Sequence, residues 1–147
     1  MKGVILPIKV VIADDHVECR RSLRRLVESR RGFRVVAEAG SGRQAIERAV
    51  KLDPDVVFID FRMPGMDGVE AGRQIQDSCP DVAVILMSFE PDHLARRGFE
   101  AGAAGYLLKS EIPRYLFGTI ATALRQRSLS GRSYPGTGLE DMAAREG

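Results

Sequence analysis

Val56-Val57-Phe58-Ile59-Asp60-Phe61-Arg62-Met63-Pro64-Gly65-Met66-Asp67-Gly68 decides the fold. Apolar residues run straight into a carboxylate, and a Pro/Gly turn follows at once. A continuous apolar run bounded by turn residues reads as a strand buried on both faces, as in parallel sheets. Asp60 then stands at the carboxyl end of a core strand, where open α/β sheets place their ligand crevices. A second acidic strand end, Ile12-Ala13-Asp14-Asp15, comes much earlier in the chain.

Working outward, Ile8 to Asp14 reads as the first strand, and Asp15 or its neighbour caps a helix running to about Ser29. Cys19, Leu23, Leu26 and Val27 form that helix's inward stripe. Arg20, Arg21, Arg24 and Arg25 fall opposite, as a solvated face or a docking face for an acidic partner. Phe33 to Ala39 reads as a strand, and Ser41 caps a helix running to Leu52. Gly40-x-Gly42 lacks the third glycine of a dinucleotide fingerprint. Asp53-Pro54 ends that helix ahead of the strand bearing Asp60. Gly68 to Ser78 reads as a helix, Val82 to Met87 as a strand finishing at Ser88, and Pro91-Asp92 opens a fourth helix. Tyr106-Leu107-Leu108 is a short strand with Lys109 at its end, and Pro113 starts a last helix reaching about Arg127. Strands and helices alternate throughout, so the expected fold is α/β: a flavodoxin-like, doubly wound parallel sheet of five strands with five helices. Its commonest strand order is 2-1-3-4-5.

With 147 residues the chain suits one domain over 1–128, followed by a Ser/Gly/Pro-rich and charged tail over 129–147. A net charge of +2 is too small to mark a nucleic-acid or membrane surface by itself. Cys19 and Cys79 belong to no C-x-x-C pair and are expected to pack or sit on the surface, in a reducing compartment. Pro7 and Lys9 break the N-terminal apolar run, which fits no signal peptide. A cytoplasmic protein without a membrane span is expected.

Four strand ends deliver polar groups to one sheet edge: Asp14 and Asp15, Asp60, Ser88, and Lys109. Converging carboxylates repel one another, so their pKa values rise or a cation neutralises them. An oxygen-rich pocket of this kind suits Mg²⁺. A phosphoryl group on one carboxylate would be held by the metal, a hydroxyl and an ammonium, as phosphoryl transfer requires. Taken singly, the aspartates could be helix caps, Ser88 a turn residue, Lys109 a surface lysine and Tyr106 a core-edge residue.

Together, Asp14-Asp15, Asp60 with Met63-Pro64-Gly65-Met66-Asp67-Gly68, Ser88, Gly102-Ala103-Ala104-Gly105-Tyr106 and Lys109 resemble a response-regulator receiver domain. The resemblance covers about residues 8 to 127 and is closest to receivers that precede a LuxR-type helix-turn-helix. It implies that Asp60 accepts phosphate from a sensor histidine kinase. It implies Mg²⁺ ligation by Asp15, Asp60 and the backbone carbonyl of Arg62, with Asp14 acting through water. Ser88 and Lys109 would bind the phosphoryl oxygens, and Tyr106 would report the state of Ser88. Phosphorylation would repack the face made by the fourth helix, fifth strand and fifth helix, with a homodimer as one outcome. The chain is then a signalling switch rather than a metabolic enzyme, without sequence-specific DNA binding of its own. Alternatively, it is the receiver portion of a LuxR-type transcription factor.

Two positions depart from the family pattern: Phe89 stands where a small residue is usual, and Ser110 where many receivers have proline. Alternation should place the Phe89 ring at the mouth of the pocket, the competing arrangement being packing on the fourth helix. An aspartyl phosphohydrolase is disfavoured because Arg62 occupies the place of a second catalytic Asp. A flavin carrier is disfavoured because Asp14-Asp15 would repel the cofactor's phosphate.

Overall fold

The computed structural model describes residues 6–90 and 94–128. The elements run β1 (Ile8–Ala13), α1 (Val17–Glu28), β2 (Phe33–Ala39), α2 (Gly42–Leu52), β3 (Val56–Asp60), α3 (Gly68–Ser78), β4 (Ala83–Ser88), α4 (Leu94–Glu100), β5 (Gly105–Leu108) and α5 (Ile112–Ser128). A 3₁₀ turn, Lys109–Glu111, joins β5 to α5. The five strands form one sheet in the order β2-β1-β3-β4-β5, and every pairing is parallel.

Both sheet faces are covered, which is why the strands read as unbroken apolar runs. Val10, Ile12, Phe58 and Ile85 join Leu23 and Val27 of α1 and Leu116, Ile120 and Leu124 of α5 in one cluster. Val11, Ala13, Val57 and Ile59 join Ala45 and Ala49 of α2 and Ala71 and Ile75 of α3 in the other. Strand alternation thus sends successive residues of β1 and β3 into opposite cores.

Local chemistry fixes the starts of α2 and α3. Ser41 accepts a hydrogen bond from Gln44 N and Asp67 one from Glu70 N, each capping its helix. The α1 N-cap is His16, whose side chain makes no capping bond. Asp14 instead accepts the His16 N–H at 2.9 Å. The basic run of α1 is not uniformly solvated: Arg20 and Arg24 both pair with Glu38 of β2, at 3.2 and 2.8 Å, and Arg20 also donates to the Asp14 carbonyl. Those two arginines tie the helix to an edge strand rather than standing free for a partner.

Small boundary differences have simple causes. β5 takes in Gly105, which pairs with Ile85. Lys109 belongs to the 3₁₀ turn rather than to the strand. The expected α4 start at Pro91-Asp92 and the tail over 129–147 lie outside the described residues. At the end of β3, Gly68 N donates to the Phe61 carbonyl at 2.9 Å, folding the turn back on itself. A Cβ at Gly68 would stand 2.2 Å from the Asp60 carbonyl oxygen, so only glycine fits there. Among the described residues no helix is long and apolar enough to cross a membrane.

Candidate functional site

Parallel pairing aligns the strand ends along one edge, and three charged groups meet there. Lys109 Nζ lies 2.5 Å from Asp14 Oδ2 and 3.2 Å from Asp60 Oδ2. None of the three side chains is more than 6% exposed. One ammonium therefore faces two carboxylates inside the protein, which leaves an excess negative charge.

That excess is distributed unevenly. Burial raises the pKa of Asp60, the neighbouring charge of Asp14 raises it further, and Lys109 offsets only part of the rise. Burial also disfavours the Asp14 anion, but the hydrogen bonds from Lys109 and from the His16 N–H prevail, holding it below the ordinary value. Burial opposes the Lys109 charge too, yet its two carboxylate partners keep its pKa above the usual lysine range. Asp14 and Lys109 form the tighter pair, while Asp60 is left as the under-compensated carboxylate.

Asp15 is partly exposed, at 28%. His16 Nδ1 approaches Oδ1 of both Asp14 and Asp15 to 3.1 Å. The Asp15 oxygen is buried without any hydrogen bond. Asp14, Asp15, His16 and Asp60 can each offer one ligand atom, all within 4.8 Å of one another. A buried oxygen that makes no hydrogen bond and meets only the His16 ring nitrogen, beside a carboxylate lacking full compensation, is a donor set that fits a hard divalent cation. Arg62 follows in the turn, its N–H 3.4 Å from Asp60 Oδ1. Its guanidinium, 78% exposed, reaches toward Glu90 at 3.6 Å, a pairing too solvated to matter for stability.

Ser88 ends β4 as the sequence leads one to expect, but its hydroxyl does not turn to the carboxylates. It donates to the Glu90 carbonyl at 2.8 Å and accepts the Glu90 N–H at 2.9 Å. Tyr106 donates its hydroxyl to the same carbonyl at 2.8 Å. The Tyr106 ring meets the edge of Phe61, the residue after Asp60, with centroids 5.9 Å apart. Ser88 and Tyr106 thus share a backbone acceptor. Sequence reasoning had no signal for that atom, because carbonyls are anonymous in a sequence.

The Phe89 ring stands at the mouth of the pocket. It is 64% exposed. Lys109 Nζ lies 4.4 Å from its centroid, within cation–π range, and the His16 ring meets it edge-on at 6.4 Å. His16 itself was not singled out from the sequence, although Asp14-Asp15-His16 are consecutive and its position at the helix entrance was available.

A model of the family "Response regulator receiver domain" matches residues 10–121. The chain is 39% identical over 117 residues to the transcriptional regulatory protein YdfI of Bacillus subtilis (strain 168), covering 80% of this chain and 55% of that protein. It is 34% identical over 138 residues to the response regulator UvrY of Escherichia coli (strain K12), covering 93% and 61%. The chain therefore spans only about half the length of such curated relatives. Among solved structures it is similar to a LuxR-family two-component response regulator from Aurantimonas sp. SI85-9A1, with TM-score 0.73, 31% identity, and coverage of 95% and 97%. It is also similar to the response regulator domain of Thermotoga maritima CheB, with TM-score 0.75, 27% identity, and coverage of 81% and 97%. With the strand order, the acidic edge and a matched span reaching from β1 into α5, this chain belongs to the response regulator receiver domains of two-component signalling.

Proposed function

We propose that this receiver takes a phosphoryl group on Asp60 from a sensor histidine kinase and works as a switch rather than as a metabolic enzyme. The observation carrying the reading is the asymmetry of the buried cluster. Asp14 is engaged by Lys109, while Asp60, at the end of the central strand, remains under-compensated. In the transfer, an Asp60 carboxylate oxygen forms a new P–O bond as the donor's P–N bond breaks, and the electron pair leaves with the imidazole nitrogen. Asp15, Asp60 and the Arg62 carbonyl would hold Mg²⁺, with Asp14 reaching it through water. The ion would supply neutralisation of the charge spread over the phosphoryl oxygens. Lys109, already at 3.2 Å from Asp60, is placed to accompany the charge as it moves from carboxylate to phosphoryl group.

The Glu90 carbonyl gives the switch a physical form. Drawing Ser88 onto a phosphoryl oxygen would remove one of the two hydroxyls on that carbonyl and free the loop to re-aim. Tyr106, on β5 and bonded to the same atom, would carry the change to the face made by α4, β5 and α5. Affinity for a partner, a second copy included, would change there. The test is labelling by a small phosphodonor with Mg²⁺, read by mass spectrometry. One acyl phosphate on Asp60 supports the reading, and a phosphate retained by Asp60→Asn refutes it.

A second reading concerns the whole protein: the chain is the receiver portion of a LuxR-type transcription factor. The half-length match to transcriptional regulatory relatives favours it. The reading frame following the codon for Gly147 tests it directly.

A further inference from the structure

The Mg²⁺ reading uses oxygens alone and leaves a histidine and a thiol beside them unexplained. His16 is the N-cap of α1, and Cys19 is the third residue of the helix. Side chains at these two positions meet across the first turn, the geometry that a capping box exploits. His16 makes no capping bond, so its ring is free to lie against the aspartates. Ligand atoms of Asp14, His16 and Cys19 all come within 4.8 Å of one another. The sequence assigns Cys19 a packing role, but His16-x-x-Cys19 places it in a mixed sulfur, nitrogen and oxygen set.

We propose that Asp14, His16 and Cys19 form a site for a borderline transition-metal ion of the Zn²⁺ class. Thiolate and imidazole select such ions over Mg²⁺, which prefers oxygen alone. Tetrahedral Zn²⁺ takes ligands at about 2.0–2.3 Å, which puts ligand atoms roughly 3.3–3.8 Å apart. Ligand atoms that now lie within 4.8 Å would close to that spacing by side-chain rotation. Lys109 holds Asp14 Oδ2, and the other carboxylate oxygen, Oδ1, already faces the His16 ring. Water or Asp15, whose buried oxygen lacks a hydrogen bond, would complete the coordination. The thiol proton would pass to solvent on binding. Cys19 also lines a cavity of about 390 Å³ with Leu23, Leu26, Met87 and Phe89, so a path from solvent exists on its side.

The site borrows carboxylates from the acidic pocket, so zinc would oppose the Mg²⁺-dependent step. This consequence, unlike the site itself, rests on the reading under Proposed function. Co²⁺ titration of the full chain, watching the thiolate-to-cobalt charge-transfer absorption, tests the site. The band should form in wild type and in Cys79→Ser, and disappear in Cys19→Ser. Zn²⁺ should bleach it at a concentration at least tenfold below that needed with Mg²⁺. Its absence in wild type, its survival in Cys19→Ser or its loss in Cys79→Ser would overturn the proposal. In phosphodonor labelling at fixed Mg²⁺, inhibition of Cys19→Ser should need at least tenfold more zinc than wild type. Equal sensitivity would overturn the antagonism. No labelling even without zinc would count against the phosphoacceptor reading, and the cobalt spectrum would still decide the site.

Discussion

Lys109 stands nearer to Asp14, at 2.5 Å, than to Asp60, at 3.2 Å. The lysine of the cluster is thus primarily the counterion of the first aspartate. Asp14 and Asp60 respond to this arrangement in opposite directions.

Removing the ammonium should expose the cost of the carboxylates. Lys109→Met leaves two buried aspartates facing each other without compensation, a loss of about 3 kcal/mol at neutral pH. Asp14 has a depressed folded pKa, so its stabilisation is present above its unfolded value and lost as pH falls through the folded one. Without Lys109 that contribution goes, so the gap between variant and wild type should narrow on acidification. Thermal melts from neutral pH down through and below the ordinary Asp range check this, and a gap that widens at low pH would contradict it.

Asp60 titrates with the opposite sign. Its folded pKa is raised, so its protonated form favours the fold, and that benefit is lost as pH rises through the folded value. Asp60→Asn imitates the neutral form. It should raise Tm at pH 7 by a few degrees, on the order of 1 kcal/mol, with the gain vanishing in acid. The same variant should take no phosphoryl label. A lower Tm at neutral pH would show that the Lys109 contact outweighs the repulsion.

Metal binding should separate Asp15 from Asp14. Asp14 already serves Lys109, whereas Asp15 keeps a buried oxygen without a hydrogen bond. By isothermal titration, Asp15→Ala is expected to weaken Mg²⁺ binding about tenfold and Asp14→Ala less, roughly 1.4 kcal/mol separating the former from wild type. Equal losses would remove the distinction.

Phe89 should act as a screen. Its ring lies over Lys109, whose ammonium contacts Asp60, so a water or donor approaching Asp60 in line is expected to meet it. Phe89→Ala should label faster with acetyl phosphate and lose its phosphoryl group faster. The two rates should change together by several-fold, because both reactions use one approach. Unchanged rates would place the ring outside that path.

Most of the frame was legible because its signals are local and strong. The apolar runs at Val56–Ile59 and Val82–Met87 admit little but buried strands, and Ser41 marks a helix start through its own hydroxyl chemistry. The convergence of Asp14, Asp60 and Lys109 was legible because parallel pairing puts strand ends on one edge whatever the side chains do. Rotamers and backbone atoms were not legible. Ser88 turns to Glu90 rather than to Asp60, a choice between two acceptors that no residue pattern encodes. Arg20 and Arg24 read as a solvent face because helical periodicity ignores β2, whose Glu38 meets them across the helix–sheet interface.

Gly68 sits so close to the Asp60 carbonyl that the first residue of α3 and the last of β3 share one rigid corner. Nearby Gly65, with φ +85°, meets no atom within 4 Å of a built Cβ. The two glycines of a single turn are therefore constrained by different agents, one by its neighbours and the other only by its own backbone. Asparagine, which tolerates the left-handed region, is an acceptable replacement at position 65, whereas no side chain is acceptable at 68. Libraries built on this scaffold to graft new loops beside Asp60 should vary the turn at 65 and leave 68 untouched.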